Sequence, residues 1–447
     1  MKSRNLSYLF IILFHIFIGV AIFVLPVLSK IYNILIVIIG LIFVIKNQNK
    51  NNEVILVSAY IVSAEVLLRM TSGNFLNEFV KYSVMIFMFI GIIYNGFSKK
   101  AVPIWIFIIL LVPGVVISTF TLDISTDIKK AIAFNITGPV CLGIAALYCY
   151  QRKITQNQMD TILLCMCFPI VSTLSYMYLY TPSVREAVTG TGSNFETSGG
   201  FGPNQVSTIL GLGIFLFFVR ILFFSKTKIV LLINIFLLFL VTFRGIVTFS
   251  RGGVITGGIM ILLLLFKLFN TGNAKARGKL IAIGVGALFA LLAIWTYSSL
   301  QTGGMIDKRY ANEDPSGRKK QSQLSGREDL IEAEIQMFLD NPILGIGVGK
   351  NKEYREELTG IKAASHNEIS RMLAEHGTLG IFALLILLFT PVVLALENRQ
   401  HLYLFCFVIF WLLTINHAAM RLAAPAFIYA LSLLKIESFE KPSLHRE

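Results

Sequence analysis

Two short stretches of this sequence combine a group that could move a proton with groups that could hold an anion. The first is Ser365-His366-Asn367-Glu368, in which Ser365 reads as a helix cap and Glu368 as the far corner of a capping box. That spacing puts His366 in the first helical turn, where the helix dipole disfavours the imidazolium and keeps the ring neutral near pH 7. A neutral imidazole there can accept the proton of an attacking hydroxyl and so act as a catalytic base. The plainer alternative is a solvated loop histidine, and spacing alone leaves both open. His15, His376, His401, His417 and His445 are weaker candidates, lying within apolar runs, at a helix end, near interfaces or in the tail.

The second stretch is Ser250-Arg251-Gly252-Gly253, with Arg244 seven residues before Arg251. On one helix these two arginines share nearly the same face, about two turns apart. A cation at the depth expected for Arg244 is costly and is usually functional or paired. Two guanidiniums can hold a diphosphate bidentately, so Arg251 and Arg244 are candidate substrate contacts. Interfacial snorkelling is the alternative, stronger for Arg251 than for Arg244. Arg327, at the start of a capped loop helix, is a third candidate phosphate contact. Glu65 and Arg69, spaced i, i+4, read as a structural pair, and Asn204 as the N-cap of the helix it opens. Helical geometry points Glu375 away from His366. No zinc signature, P-loop or Gly-x-Ser-x-Gly nucleophile occurs, and Asp307, Asp314 and Asp329 are scattered. The chemistry on offer is cationic stabilisation of a leaving group plus one base, with no cofactor and no metal.

The elements that must position these residues are membrane helices. The chain has 447 residues, 55% of them hydrophobic and 14% charged, with a mean hydropathy of +0.73. A soluble domain carries about 25% charge. Recurring apolar runs predict an all-α polytopic membrane protein with about 12–14 transmembrane helices and a large, partly helical outer loop. Spans are expected near 9–28, 31–45, 54–70, 82–96, 101–120, 131–150, 159–180, 205–224, 229–248, 253–268, 280–300, 379–396, 401–415 and 422–437. The first run is too long for a signal peptide and reads as a retained span. The five cysteines all fall inside spans and read as small buried hydrophobes. The net charge of +14 does not indicate nucleic acid, because the cations outside the large loop sit in short connections. Placing the N-terminus in the cytoplasm gathers Lys46, Lys50, Lys99, Lys100, Arg152, Lys153, Lys226, Lys228, Lys275, Arg277, Lys279 and Arg399 on one side. Both termini are then cytoplasmic and the long loop is outside.

Three parts follow: a helix bundle over 1–300, a loop with candidate catalytic helices over 301–378, and C-terminal spans with a short cytoplasmic tail over 379–447. In the loop, Asp307 to Gln323 is polar and reads as mobile. Ser325-x-x-Glu328 forms a capping box for a helix that ends at Asn341-Pro342. Leu330, Ile331, Ile335, Phe338 and Leu339 give it one apolar face, suited to the membrane or the spans. Gly345-Ile346-Gly347-Val348-Gly349 follows a helix and a proline rather than a strand, so it reads as a backbone turn and not a dinucleotide fingerprint.

Ser250-Arg251-Gly252-Gly253, Gly326-Arg327-Glu328-Asp329-Leu330, Asn341-Pro342 with Gly345 and Gly347, His366-Asn367 and Glu375-His376-Gly377 occur in that order. This ordered set resembles the O-antigen ligase and polymerase superfamily of bacterial envelope glycosyltransferases, in motif over roughly 203–380 and in layout over the whole chain. The resemblance implies a glycosyltransferase-C-like scaffold in the inner membrane, with the loop in the periplasm. It implies a glycan donor on undecaprenyl diphosphate and a metal-independent, inverting transfer to lipid A–core or to a lipid-linked glycan. Carried over by residue, Arg251 and Arg327 would bind the diphosphate and His366 would be the general base. The family pattern does not require Arg244. A ligase-like activity is the first expectation, a repeat-unit polymerase the second, and a lipid-linked glycan transporter the third. Membrane lipids are the expected surroundings and nucleic acid is not a partner.

Overall fold

Long uninterrupted apolar sequence leaves the backbone only one way to satisfy its own polar groups in a bilayer, and the chain takes it. The computed structural model of the protein describes residues 2–320, 328–360 and 363–437. The first half comprises α1 (Lys2–Val24), α2 (Val27–Asn47), α3 (Glu53–Met70), α4 (Phe79–Asn95), α5 (Val102–Thr121), α6 (Ile128–Cys149) and α7 (Gln156–Tyr180). A short α8 (Val184–Ala187) precedes α9 (Pro203–Val219), α10 (Lys228–Val247), α11 (Arg251–Thr271) and α12 (Ala274–Gln301). The long loop holds α13 (Met305–Tyr310), α14 (Glu328–Asp340) and α15 (Asn351–Thr359), and α16 (Glu368–Glu397), α17 (Leu404–Ala418) and α18 (Ala424–Ser432) follow it.

Every run expected to span is helical at its core. Among the described residues, ten helices are long and apolar enough to cross a membrane, and α4 and α17 are apolar but shorter. The last expected span is a correction. α18 has nine residues, about 14 Å at 1.5 Å per residue, against a hydrocarbon core of about 30 Å. After α18 the chain passes through a turn into a three-residue strand. That strand, β2 (Lys435–Glu437), pairs in parallel with β1 (Lys153–Thr155).

Alternation of the helices sorts the connections between two ends. The long loop shares its end with the 181–202, 248–250 and 419–423 segments, as Asn194 N to Thr248 O (3.0 Å) and Ala419 N to His366 O (3.1 Å) record. The expected cationic connections lie at the opposite end, where Asn49 bonds Tyr148 Oη (2.8 Å) and Gln151 bonds Glu397 (2.9 Å). α3, α6, α7, α9 and α18 are buried along most of their length, whereas α12 faces outward almost entirely, as a helix against lipid does.

Close crossing explains much of the glycine content. Gly253 and Gly257 on α11 meet Ser207 and Gly211 on α9, and a Cβ on Gly253 would lie 1.9 Å from Ser207 O. This is small-residue packing of the kind that lets membrane helices touch backbone to backbone.

The loop is more structured than its polarity predicts. Trp295 Nε1 donates to Asp307 (2.8 Å), tying α13 to α12, and Glu313 and Lys319 form a β-bridge. Ser325, Gly326 and Arg327 lie outside the described residues. The apolar face expected on α14 is divided. Ala333, Glu334 and Met337 are the buried stripe, while Ile335 and Leu339 stay exposed. Gly345, Gly347 and Gly349 all take positive φ (70°, 95° and 89°) and run against Glu375, Ser118 and Ala131 at distances that admit no Cβ. Val348 N donates to Gly114 O (3.0 Å), seven residues inside the end of α5. The loop therefore re-enters the bundle, irregular backbone being tolerated at that depth because protein surrounds it. α16 is kinked at Gly377 (φ 60°).

Candidate active site

His366 stands in front of α16 rather than in its first turn. Asn367 is the cap, accepting from Ile369 N (2.8 Å) and Ser370 N (3.4 Å). Ser365, expected in that role, is drawn elsewhere: its hydroxyl donates to Glu334 (3.2 Å) and accepts from Asn367 N (3.2 Å). Glu368 closes no box, because Arg371 and Met420 N (3.2 Å) claim its carboxylate. The backbone carbonyls are what is pinned, by Ala419 N to His366 O and by the Arg421 guanidinium to Ser365 O (2.7 Å). A cavity of about 250 Å³ opens beside the imidazole, lined by Leu330, Ile331, Glu334, Asn367 and Asn416. Burial raises the Glu334 carboxyl above the usual range, although Ser370 and Arg355 pull it back.

Arg251 opens α11, and Arg244 belongs to α10. The shared face expected of them is corrected here, because Phe249 at φ 58° turns the chain between the two helices. Arg244 is buried; its Nη2 donates to Thr181 O (2.9 Å) and its Cζ lies 4.0 Å from the Tyr178 ring centroid. Ser250 caps α11 without a side-chain hydrogen bond to the helix. Its hydroxyl donates instead to Asn204 (2.8 Å) and lies 3.4 Å from His417 Nε2. Asn204 is thus not a cap; Gly202 holds that position, and the amide faces the Ser250 turn.

His417 is the residue that sequence reasoning passed over. Its ring lies against Gly252, where a Cβ would meet it at 2.3 Å, which accounts for the first glycine of the Ser-Arg-Gly-Gly stretch. Asn416, its neighbour, lines the cavity of His366. The four residues from Asn416 to Ala419 therefore join the start of α11 to His366. Only an approach across more than 160 positions, which no local spacing encodes, makes His417 and Ser250 neighbours.

Further cations collect at Arg251. Arg309 is buried and donates to Phe249 O (3.0 Å), and the charges of Arg251 and Arg309 both reach Tyr310 and Lys320. Burial pushes the Tyr310 phenol up to about 12, even though Arg251 and Arg309 pull it down. Burial and then the charges of Arg309 and Arg251 hold the Lys320 ammonium below its ordinary value, with Asp314 offsetting them in part. Cations gathered at the opening of a helix make a site that gains by accepting an anion.

Charges expected to be structural are so. Glu65 pairs with Arg69 (2.8 Å), and the pair also holds the 419–423 break. Glu65 accepts from Ala423 N (2.7 Å), and Arg69 donates to Arg421 O (3.1 Å). Glu375 pairs with Arg371 (2.5 Å) and accepts from Gly349 N (2.9 Å), so it serves the re-entrant loop.

Cations and imidazoles thus gather where a long loop folds back onto the helix ends of an all-α, multi-pass membrane protein. Residues 235–385 match the family model described as O-antigen ligase, which supports membership of the O-antigen ligase superfamily. The matched stretch holds Arg251 and His366 but neither Asn204 nor His417. None of the curated proteins compared with the chain matches it.

Proposed function

We propose that the protein is an O-antigen ligase-like glycosyltransferase, moving a glycan from undecaprenyl diphosphate to an acceptor hydroxyl, that of lipid A–core, at the periplasmic face of the inner membrane. His366 takes the proton of the acceptor hydroxyl as its oxygen bonds to the anomeric carbon of the glycan. The bond from that carbon to the diphosphate breaks as the new one forms, which inverts the centre. The diphosphate leaves with its electron pair, and Arg251 and the first N–H groups of α11 receive the charge. Arg309 and Lys320 extend that cationic field. Arg327 joins them by resemblance alone. We assign Arg244 to supporting the 178–181 turn, since its contacts are with Tyr178 and Thr181.

The observation that carries this reading is the Asn416–Ala419 segment, which touches Gly252 on one side and His366 on the other. A base and an anion-binding helix start share one wall. Cations gathered at the end opposite the loop support the cytoplasmic placement of that end. The test is complementation. Expression in a host lacking its O-antigen ligase is expected to restore capped lipopolysaccharide on a gel. Restoration of long repeat ladders in a polymerase-null host, with none in the ligase-null host, would transfer the protein to the polymerase reading.

A further inference from the structure

At the end of the bundle opposite the active-site loop, a cavity of about 740 Å³ opens between α1, α7, the close of α9 and the start of α10. Its α7 wall runs from Asn157 to Phe168, about 16 Å along the helix. The lining changes along that distance. Asn157, Asp160 and Lys226 are at the outer end, whereas Leu164, Phe168 and Ile11 lie deeper.

Arg220 lines the polar part and is only 9% exposed. Its Nε has no hydrogen-bond partner among the described residues. The guanidinium carbon lies 5.1 Å from the Tyr8 ring centroid and 4.7 Å from that of Phe224. Aromatic faces thus hold the cation. Asp160 accepts from Gln156 (2.8 Å) and makes no ion pair with Arg220 among the described residues. A buried guanidinium with an unused donor is expensive unless something arrives to meet it.

The surrounding backbone is built around this residue. α9 ends in a π-helical turn, Arg220–Phe224, a departure from α geometry often found at binding sites. Ser225 Oγ caps the turn by donating to Arg220 O (2.9 Å) and accepts from Asn234 Nδ2 (3.0 Å). Asn234 Oδ1 accepts from Tyr8 Oη (2.6 Å). The chain Ser225–Asn234–Tyr8 braces the wall on which Arg220 lies.

We propose that this cavity binds the phosphate headgroup of an anionic lipid in the leaflet opposite the active-site loop. Arg220 bonds the phosphate through its unused Nε donor, and exposed Lys226 adds a second cation at the rim. The acyl chain follows Ile11, Leu164 and Phe168 inward. A polar mouth leading to an apolar slot matches an amphiphile, whereas a soluble phosphate would leave the slot unfilled. The proposal stands independently of the glycosyltransferase reading.

Native mass spectrometry of the full chain, purified in detergent and titrated with phosphatidylglycerol, phosphatidylcholine or glycerol 3-phosphate, tests it. Wild type is expected to retain one phosphatidylglycerol in preference to phosphatidylcholine. Arg220→Gln is expected to weaken that binding about tenfold and Lys226→Gln about threefold. Glycerol 3-phosphate should not compete. Equal retention by wild type and both variants overturns the site, and competition by glycerol 3-phosphate overturns its assignment to a lipid. Should Arg220→Gln fail to purify as a folded species, Lys226→Gln decides, since it changes an exposed linker position.

Discussion

Replacing His366 with alanine removes the proposed proton acceptor and leaves the bonds that hold its backbone, which run through the His366 and Ser365 carbonyls. His366→Ala is therefore expected to lower glycan transfer by about 10²–10⁴ while gel-filtration behaviour and melting temperature stay near wild type. Arg251→Ala should lower turnover by about 10²–10³. Both are read from purified protein with a lipid-linked donor; full activity in either variant removes that residue from the scheme. His366 and Arg251 are legible in the sequence because each sits in a short motif of unusual composition for a membrane chain. His417, Asn204 and Arg309 are not, since each gains its place from contacts made across the fold. The capping error at Ser365 has the same origin. Glu334, more than 30 positions earlier, takes the hydroxyl that local pattern assigns to a cap.

At the scale of elements, the α9–α11 crossing and the 419–423 break carry the risk. Gly253→Ala forces apart two backbones that touch, so it is expected to destabilise the protein by at least about 1–3 kcal/mol. Gly258→Ala, on the same helix with nothing within 4 Å of its Cβ position, is the control and should melt like wild type. A Gly253→Ala protein as stable as the control would mean the crossing is looser than drawn. Glu65→Ala leaves Arg69 and the Ala423 N–H without their partner in the core and should cost about 3–5 kcal/mol, read as the melting temperature in detergent. Helix positions were legible from hydropathy, because lipid demands apolar length. The stop of α18 at nine residues was not, because the apolar pattern continues past the point where the chain leaves helical geometry.

For the whole molecule, the decisive prediction concerns sides. The native cysteines are buried or half-buried, so introduced ones report their own surroundings. Glu357→Cys, in the exposed part of α15, is expected to react with a membrane-impermeant thiol reagent in cells whose outer membrane is permeabilised. Lys228→Cys, on the opposite end, should react only after the inner membrane is broken. The reverse pattern would place the candidate site in the cytoplasm and end the periplasmic assignment. The sorting of connections between two ends was readable from the alternation of apolar runs, although the depth to which the loop re-enters was not. That depth depends on three glycines and on the shape of α5.

The parallel pairing of β1 with β2 brings together residues 153–155 and 435–437. Because a ribosome makes the first of these some 280 residues before the second, the turn between α6 and α7 has no mate through most of synthesis. The far side of the bundle is fastened last, as a drawstring is. A chain cut just before Lys435 would keep all the groups proposed for chemistry yet lack that final fastening.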